Sequence, residues 1–231
     1  MSLQSLETLW KDFRSTLKAD VRCLVRLHNK DLNTVGRPGE WLKSLRRSAV
    51  VLTVANLEKF IEDTVVEGLS ELSRNQVLAI HFPEPYRLWV FKRRANMRNV
   101  SFDVAKEFVD LSRILFSSTD SITIDQLEFD DLRETFANPT EKNINWLMSL
   151  LGHDEYLTGI QIEVQKKKYW ATSMVGQMAK RRNDIAHGDS EQDPSIDTVE
   201  RLVKFCQLFS TRFKKDVTKT IEACLAAQTA G

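Results

Sequence analysis

The chain has 231 residues, of which 42% are hydrophobic and 28% charged, with only 8 glycines and 5 prolines, a composition that excludes collagen-like, disordered and low-complexity proteins. Its 33 basic and 32 acidic residues leave a net charge of +1, so nucleic-acid binding would require a local basic patch. The sequence contains no apolar run of about 18 residues, no secretory leader pattern and no CxxC pair among three cysteines. We therefore expect a cytoplasmic protein without membrane association, disulfide framework or cysteine zinc site.

Apolar residues spaced three or four positions apart predict long antiparallel helices over about 5–32 and 40–75. The second helix carries the clearest stripe, from Val50 to Leu72. An irregular connector is expected over about 77–100, because two prolines there interrupt the periodicity.

The second half of the chain is also predicted to be mostly helical. Residues 102–116 keep the helical spacing, 121–124 alternate as a short strand would, and 138–141 resemble a helix start. A signature helix is predicted over about 158–187 and a C-terminal helix over about 195–226. We find no internal repeat, and the pattern predicts one all-α domain, a helical bundle spanning 1–231.

The histidines are the natural place to look for acid–base chemistry, and they form no HxxxH or HExxH zinc pair. His28, His81 and His153 are expected to be surface residues without a catalytic role. His187 lies at the end of the signature helix, on the same face as Asn183, four positions earlier. Arg182 is five positions earlier and about 140° away around the helix, so a twofold dimer would bring these groups together more readily than one helix.

The segment 182–188 resembles the RNxxxH form of the signature of HEPN ribonucleases, which are all-helical dimers that include toxin and antiviral nucleases. Residues 50–63 are similar to the long second helix of the MAE-type and RiboL-PSP-type HEPN families, although Asn56 stands where those families have an aromatic residue. Residues 136–147 are similar to their segment upstream of the signature. The resemblance covers most of the chain from Val50 onward.

The resemblance implies RNA cleavage by the 2′-hydroxyl without a metal or other cofactor. His187 would act as the base, Arg182 would bind the phosphate, and Asn183 would orient the imidazole or the substrate. Four acidic residues are candidates to support Arg182: Asp184, Glu58, Glu62 and Asp63. Acidic residues in such positions also commonly flank an apolar stripe without any role in a site.

Basic and aromatic residues alternate over 86–98, a pattern that predicts RNA binding through phosphate contacts and base stacking. The predicted RNA contacts are Arg87, Lys92, Arg93 and Arg94 in this stretch and Arg181 in the signature helix. The alternative is a solvated connector whose aromatic side chains lie in the core. Lys166–Lys168, before Tyr169 and Trp170, form a similar stretch, for which a purely structural role is favoured.

The first functional hypothesis is a homodimeric, metal-independent endoribonuclease that acts on RNA as a toxin or antiphage effector, with an antitoxin or regulatory protein as a further partner. The second is a non-catalytic HEPN-like helical dimer that uses the same groove to bind RNA, nucleotide or a partner protein. Cleavage of RNA by the purified protein would separate the two.

Overall fold

Two helices of 35 residues each, one in the first half of the chain and one at its end, form the frame of the protein. A computed structural model describes residues 3–31, 40–95, 102–121, 132–133, 136, 138–189 and 193–230. Seven α-helices and one β-hairpin occur within these ranges: α1 (Gln4–Asp31), α2 (Glu40–Arg74), α3 (Glu84–Ala95), α4 (Phe102–Phe116), α5 (Glu141–Ser149), β1 (Gln161–Val164), β2 (Lys167–Trp170), α6 (Ala171–Ala186) and α7 (Ile196–Ala230). The predicted all-α fold class is confirmed.

Helix α2 is the central element, because α1, α6 and α7 all pack against it. The apolar stripe predicted for this helix is entirely buried, with Val50, Val54, Leu57, Ile61, Val65, Leu69 and Leu72 each at 0% exposure. Helix α7 approaches α2 closely at Gly68, where a Cβ atom would lie only 3.1 Å from Ile221 and 3.2 Å from Val217. Glycine at this position allows the two long helices to pack against each other.

An aromatic cluster fills the space between the long helices. The rings of Phe60 and Phe13 lie 4.7 Å apart between α2 and α1, and Phe60 also contacts Phe213 of α7 in an edge arrangement at 6.3 Å. Phe213 in turn contacts Tyr156, from the loop after α5. Tyr156 is buried and donates its hydroxyl hydrogen to Asp216 on α7 at 3.0 Å.

The expectation of an irregular connector over 77–100 is wrong for most of that segment. A short 3₁₀ helix spans Ala79–His81, and α3 follows as a regular helix. Pro85 is the second residue of α3, in the first turn, where the missing N–H has no intrahelical partner and costs nothing. Residues 96–100 lie outside the described ranges.

The signature helix begins at Ala171, not near residue 158 as predicted, because an antiparallel hairpin occupies 161–170. Strand β1 shows period-two burial, with Ile162 and Val164 buried and their neighbours exposed. Gln165 and Lys166 form the turn with φ values of 52° and 64°, the left-handed conformation that two-residue hairpin turns require. The hairpin packs against α7 through β1.

The predicted helix start after Asn138 is confirmed. The Thr140 side chain caps α5 by accepting a hydrogen bond from the Asn143 N–H at 3.2 Å. Of the predicted strand over 121–124, Ser121 forms an isolated bridge with Leu78, and the remaining three residues lie outside the described ranges. None of the helices in the described ranges is both long and apolar enough to cross a bilayer.

Candidate active site

The end of α6 is a Schellman motif that presents His187 to solvent. His187 is the C-cap residue, and Gly188 follows it with φ +82°. The Gly188 N–H donates to the Ile185 carbonyl at 3.1 Å and the Asp189 N–H donates to the Asp184 carbonyl at 3.0 Å, which are the two bonds that define this motif. The His187 side chain is exposed and has no hydrogen-bond partner among the described residues. Its imidazole is therefore available to a substrate or a second chain.

Helix α2 holds this helix end in place through Arg47. Its guanidinium donates from Nη1 to the Asp189 carbonyl at 2.6 Å and from Nη2 to the Ile185 carbonyl at 3.4 Å. Ile185 packs against the core, as its position opposite Asn183 and His187 predicts. The backbone that carries His187 is thus tied to the central helix.

Arg182 is half-buried one turn earlier, and two side-chain amide oxygens hold its guanidinium. Nη1 donates to Asn138 Oδ1 at 2.6 Å and to Asn183 Oδ1 at 3.2 Å. Within the described ranges, Arg182 forms no ion pair, and its Nη2 and Nε atoms form no hydrogen bond. Neutral groups therefore hold the guanidinium, and no described residue binds its other two donor nitrogens or pairs with its charge. Asn183 Oδ1 thus contacts the arginine, and no hydrogen bond joins Asn183 to the imidazole among the described residues.

Asn138 lies in the turn before α5 and was not predicted as a site residue. Its backbone adopts a left-handed conformation with φ 66°. Glu58 on α2 accepts a hydrogen bond from the Asn138 N–H at 2.7 Å, and Asn143 Nδ2 donates to the Asn138 carbonyl at 3.0 Å. The sequence offered one signal, the resemblance over 136–147, but nothing in it indicates that Asn138 contacts Arg182.

The four acidic residues predicted around Arg182 lie in different settings. Among the described residues, Glu58 is linked to the arginine through Asn138, which it binds at the backbone N–H. Asp184 pairs with Lys180 at 2.7 Å, within α6.

The other two acids, Glu62 and Asp63, are paired elsewhere. Both accept hydrogen bonds from Arg133, at 2.6 and 3.0 Å, and Lys59 also pairs with Asp63 at 2.9 Å. Burial raises the pKa of Glu62 above its usual value, against the opposing effect of the Arg133 charge. The prediction that these two acids partner Arg182 is not supported by any contact in the described structure.

The expectation that His28 is a surface residue is wrong. Its side chain is buried at 3% exposure, and its Nε2 lies 3.0 Å from Arg46 Nη1. His81 and His153 are half-buried, and His153 Nε2 contacts the Thr220 hydroxyl at 2.7 Å. The spacing of apolar residues does not predict the burial of His28, because this burial depends on how α1 packs against α2.

Arg87 is a structural residue and not a surface RNA contact. It is 8% exposed, donates to the Leu115 carbonyl at 3.2 Å and lies over the Phe116 ring at 5.5 Å, so it joins α3 to α4. Lys92 and Arg93 are exposed on α3, and Arg181 is half-exposed on α6. The side chain of Arg94 lies outside the described part of the structure.

The second basic stretch lies on the hairpin. Lys166–Lys168 are exposed around its turn, Tyr169 packs against the core, and Trp170 is 51% exposed at the N-cap of α6. No group of three or more His, Cys, Asp or Glu side chains suited to a metal ion occurs among the described residues.

These features define the class of the protein: an all-α domain whose RNxxxH segment ends a helix packed on a long central helix, which is the HEPN class. The RiboL-PSP-HEPN family model matches residues 16–219, and the chain belongs to this family. No curated protein matches the chain. No solved structure matches it either. The family points to a nuclease or RNA-related function, and HEPN domains often dimerise.

Proposed function

We propose that the protein is a metal-independent endoribonuclease that cleaves RNA through Arg182 and His187 at the end of α6. The observation that carries this proposal is the state of Arg182: neutral amides fix its guanidinium, and no described carboxylate neutralises it. An arginine whose Nη2 and Nε are unused among the described residues, five positions before a solvent-exposed histidine at an anchored helix end, is suited to bind a phosphodiester whose cleavage the histidine can catalyse.

In the proposed reaction, the RNA supplies its own nucleophile. His187 takes the proton of a 2′-hydroxyl, whose oxygen forms a bond to the adjacent phosphorus while the bond from phosphorus to the 5′-oxygen breaks. Arg182 Nη2 and Nε donate to the phosphate oxygens as negative charge accumulates on them. A second histidine or water protonates the leaving oxygen, giving a 2′,3′-cyclic phosphate and a 5′-hydroxyl end.

A homodimer would complete this site. Arg182 and His187 are about 140° apart around α6, so one helix directs the two side chains differently. A twofold interface between two copies of the helix end would place two arginines and two histidines around one cleft, and would supply the second histidine as acid. The exposure of His187 and the hydrogen bonds that anchor this helix end support such an arrangement.

Purified variants test the proposal directly. His187→Ala and Arg182→Ala should each lower cleavage of a single-stranded RNA by about 10²- to 10⁴-fold while the protein stays folded, because each removes a group acting on the transition state. Lys180→Ala, which changes an exposed cation on the same helix, is the matched control and should leave cleavage unchanged. EDTA should not inhibit. Wild-type rates in both site variants would end the proposal.

The alternative of a non-catalytic binding dimer predicts a different pattern. Wild-type protein would cut no RNA in a panel of substrates, yet Arg182→Ala would weaken binding of a ligand in the same groove. Sedimentation would add a separate check, since a strict monomer under assay conditions removes the composite cleft.

We propose further that the enzyme acts in the cytoplasm as a toxin or antiphage effector restrained by a partner protein, and that Lys92, Arg93 and Arg181 extend its RNA contact. Expression of wild-type protein should then arrest cell growth, and His187→Ala should not.

A further inference from the structure

The geometry around Asn138 indicates more than a turn before α5. Asn138 is 44 residues from Arg182 in sequence, yet its Oδ1 lies 2.6 Å from the guanidinium, the shorter of the two hydrogen bonds that Arg182 makes to described residues. Both groups are only partly exposed. A hydrogen bond this short between a charged donor and an amide oxygen restricts where the guanidinium can point.

Hydrogen bonds to both its N–H and its carbonyl hold the backbone of Asn138. Its φ of 66° lies in the left-handed region, which asparagine adopts more readily than most residues. Glu58 binds its N–H and Asn143 binds its carbonyl oxygen. The central helix and α5 thus determine together where the Asn138 amide lies.

The chemical type of this acceptor bears on the bound phosphate. An aspartate at the same position would accept the same hydrogen bond, but its negative charge would pair with Arg182 and offset the charge that a phosphate needs. An amide oxygen orients the guanidinium and leaves that charge available. The same holds for the second acceptor, Asn183 Oδ1.

We infer that Asn138 is a positioning residue for RNA cleavage: it holds the Arg182 guanidinium so that Nη2 and Nε face the scissile phosphate, and it does so without neutralising the arginine. This inference rests on the proposed function. The ligand it concerns is the phosphodiester of RNA.

Two substitutions separate orientation from charge. Asn138→Gly tolerates the left-handed backbone and keeps both backbone hydrogen bonds, but removes the amide oxygen. Asn138→Asp keeps an acceptor at the same reach and adds a negative charge. Gln165→Gly, at the left-handed hairpin turn with φ 52°, is the matched control for introducing glycine at such a position. Circular dichroism and thermal unfolding would verify that each variant is folded.

The readouts are steady-state cleavage of a single-stranded RNA and binding of the same RNA with 2′-O-methyl groups, which cannot be cleaved. Asn138→Gly should lower kcat by about 10- to 100-fold with a much smaller change in the Kd of the methylated RNA, because the misplaced guanidinium mainly loses transition-state contacts.

Asn138→Asp should instead weaken binding. It should also reduce the slope of log K against log salt by about 0.7, the value for one phosphate contact on a single strand, as Arg182→Gln should. A purely structural role for Asn138 would not change this slope. Gln165→Gly should match the wild type in both assays.

The outcomes distinguish the inference from the proposed function. If Arg182→Ala and His187→Ala abolish cleavage while Asn138→Gly and Asn138→Asp cleave and bind like the wild type, the inference is overturned and the nuclease proposal stands. If Asn138→Asp weakens binding without changing the salt slope, the charge argument is overturned. If Arg182→Ala and His187→Ala both cleave at wild-type rates, the proposed function fails and the inference with it.

Discussion

Replacing Gly188 by alanine tests whether the Schellman motif sets the position of His187. No heavy atom lies within 4 Å of the position that a Gly188 Cβ would occupy, so the substitution causes no clash. Its cost comes from the backbone, since φ is +82° and an L-residue in the left-handed region loses about 1–2 kcal/mol. Alanine also lowers the conformational entropy of the unfolded chain, which stabilises the folded protein by roughly 0.4–1 kcal/mol. The expected net loss is about 1 kcal/mol in the free energy of unfolding.

Urea unfolding would measure this loss, and two other glycines supply controls. Gly176→Ala lies in the same helix, is equally unobstructed and has an ordinary φ, so it should raise the free energy of unfolding by up to about 1 kcal/mol. Gly152→Ala shares the left-handed cost, with φ +83°, but lies outside α6. Gly188→Ala should also reduce RNA cleavage, and Gly152→Ala should not. A Gly188→Ala protein as stable as wild type would refute this account of the helix end.

Three further substitutions probe the contacts around the frame. Tyr156→Phe should lower the free energy of unfolding by about 1.5–3 kcal/mol, because it removes a buried hydrogen bond to the Asp216 carboxylate; an unchanged urea midpoint would contradict this. Arg47→Met should cost about 1–3 kcal/mol and reduce cleavage, since it releases the carbonyls at the end of α6; full activity would show that this anchor is dispensable. Burial raises the pKa of Glu62 above 4.5, so its contribution to stability is present below that pH and is lost as pH rises through the raised pKa. The stability of Glu62→Gln should therefore fall less than that of wild type as pH rises from below 4.5, and parallel pH profiles would argue against the shift.

The spacing of apolar residues predicted the long helices, because each of these helices buries one face and the buried residues therefore recur every three or four positions. The stripe along α2 is buried at every predicted position, and α1, α4 and α7 lie where the spacing places them. Two elements were missed for local reasons. The two prolines near the start of α3, at positions 83 and 85, were interpreted as breaks, although Pro85 lies in the first turn of that helix, where proline is tolerated. The hairpin turn uses Gln165 and Lys166 in left-handed conformations, without the Asn-Gly or Asp-Gly pair that usually indicates one.

The sequence predicted only those features of the candidate site that depend on a single helix. The positions of Asn183, Ile185 and His187 around α6 follow from the helical period. The contacts of Arg182 do not, because Asn138 is 44 residues away and meets it only after α5 and α6 pack on α2. The same limit explains Glu62, whose partner Arg133 is 71 residues distant. Contacts across such separations leave no periodic trace in a single sequence.

The exposed tip of the hairpin is a suitable site for attaching a label or an affinity tag. Gln165 and Lys166 form the exposed turn of a hairpin anchored by Ile162 and Val164, and strand β2 leads into the end of α6 opposite His187. Helix α6 has 16 residues, which separates its two ends by roughly 24 Å. A fluorophore or an affinity peptide introduced at this turn should be tolerated, so that association and RNA capture can be followed without altering the helix end that carries His187.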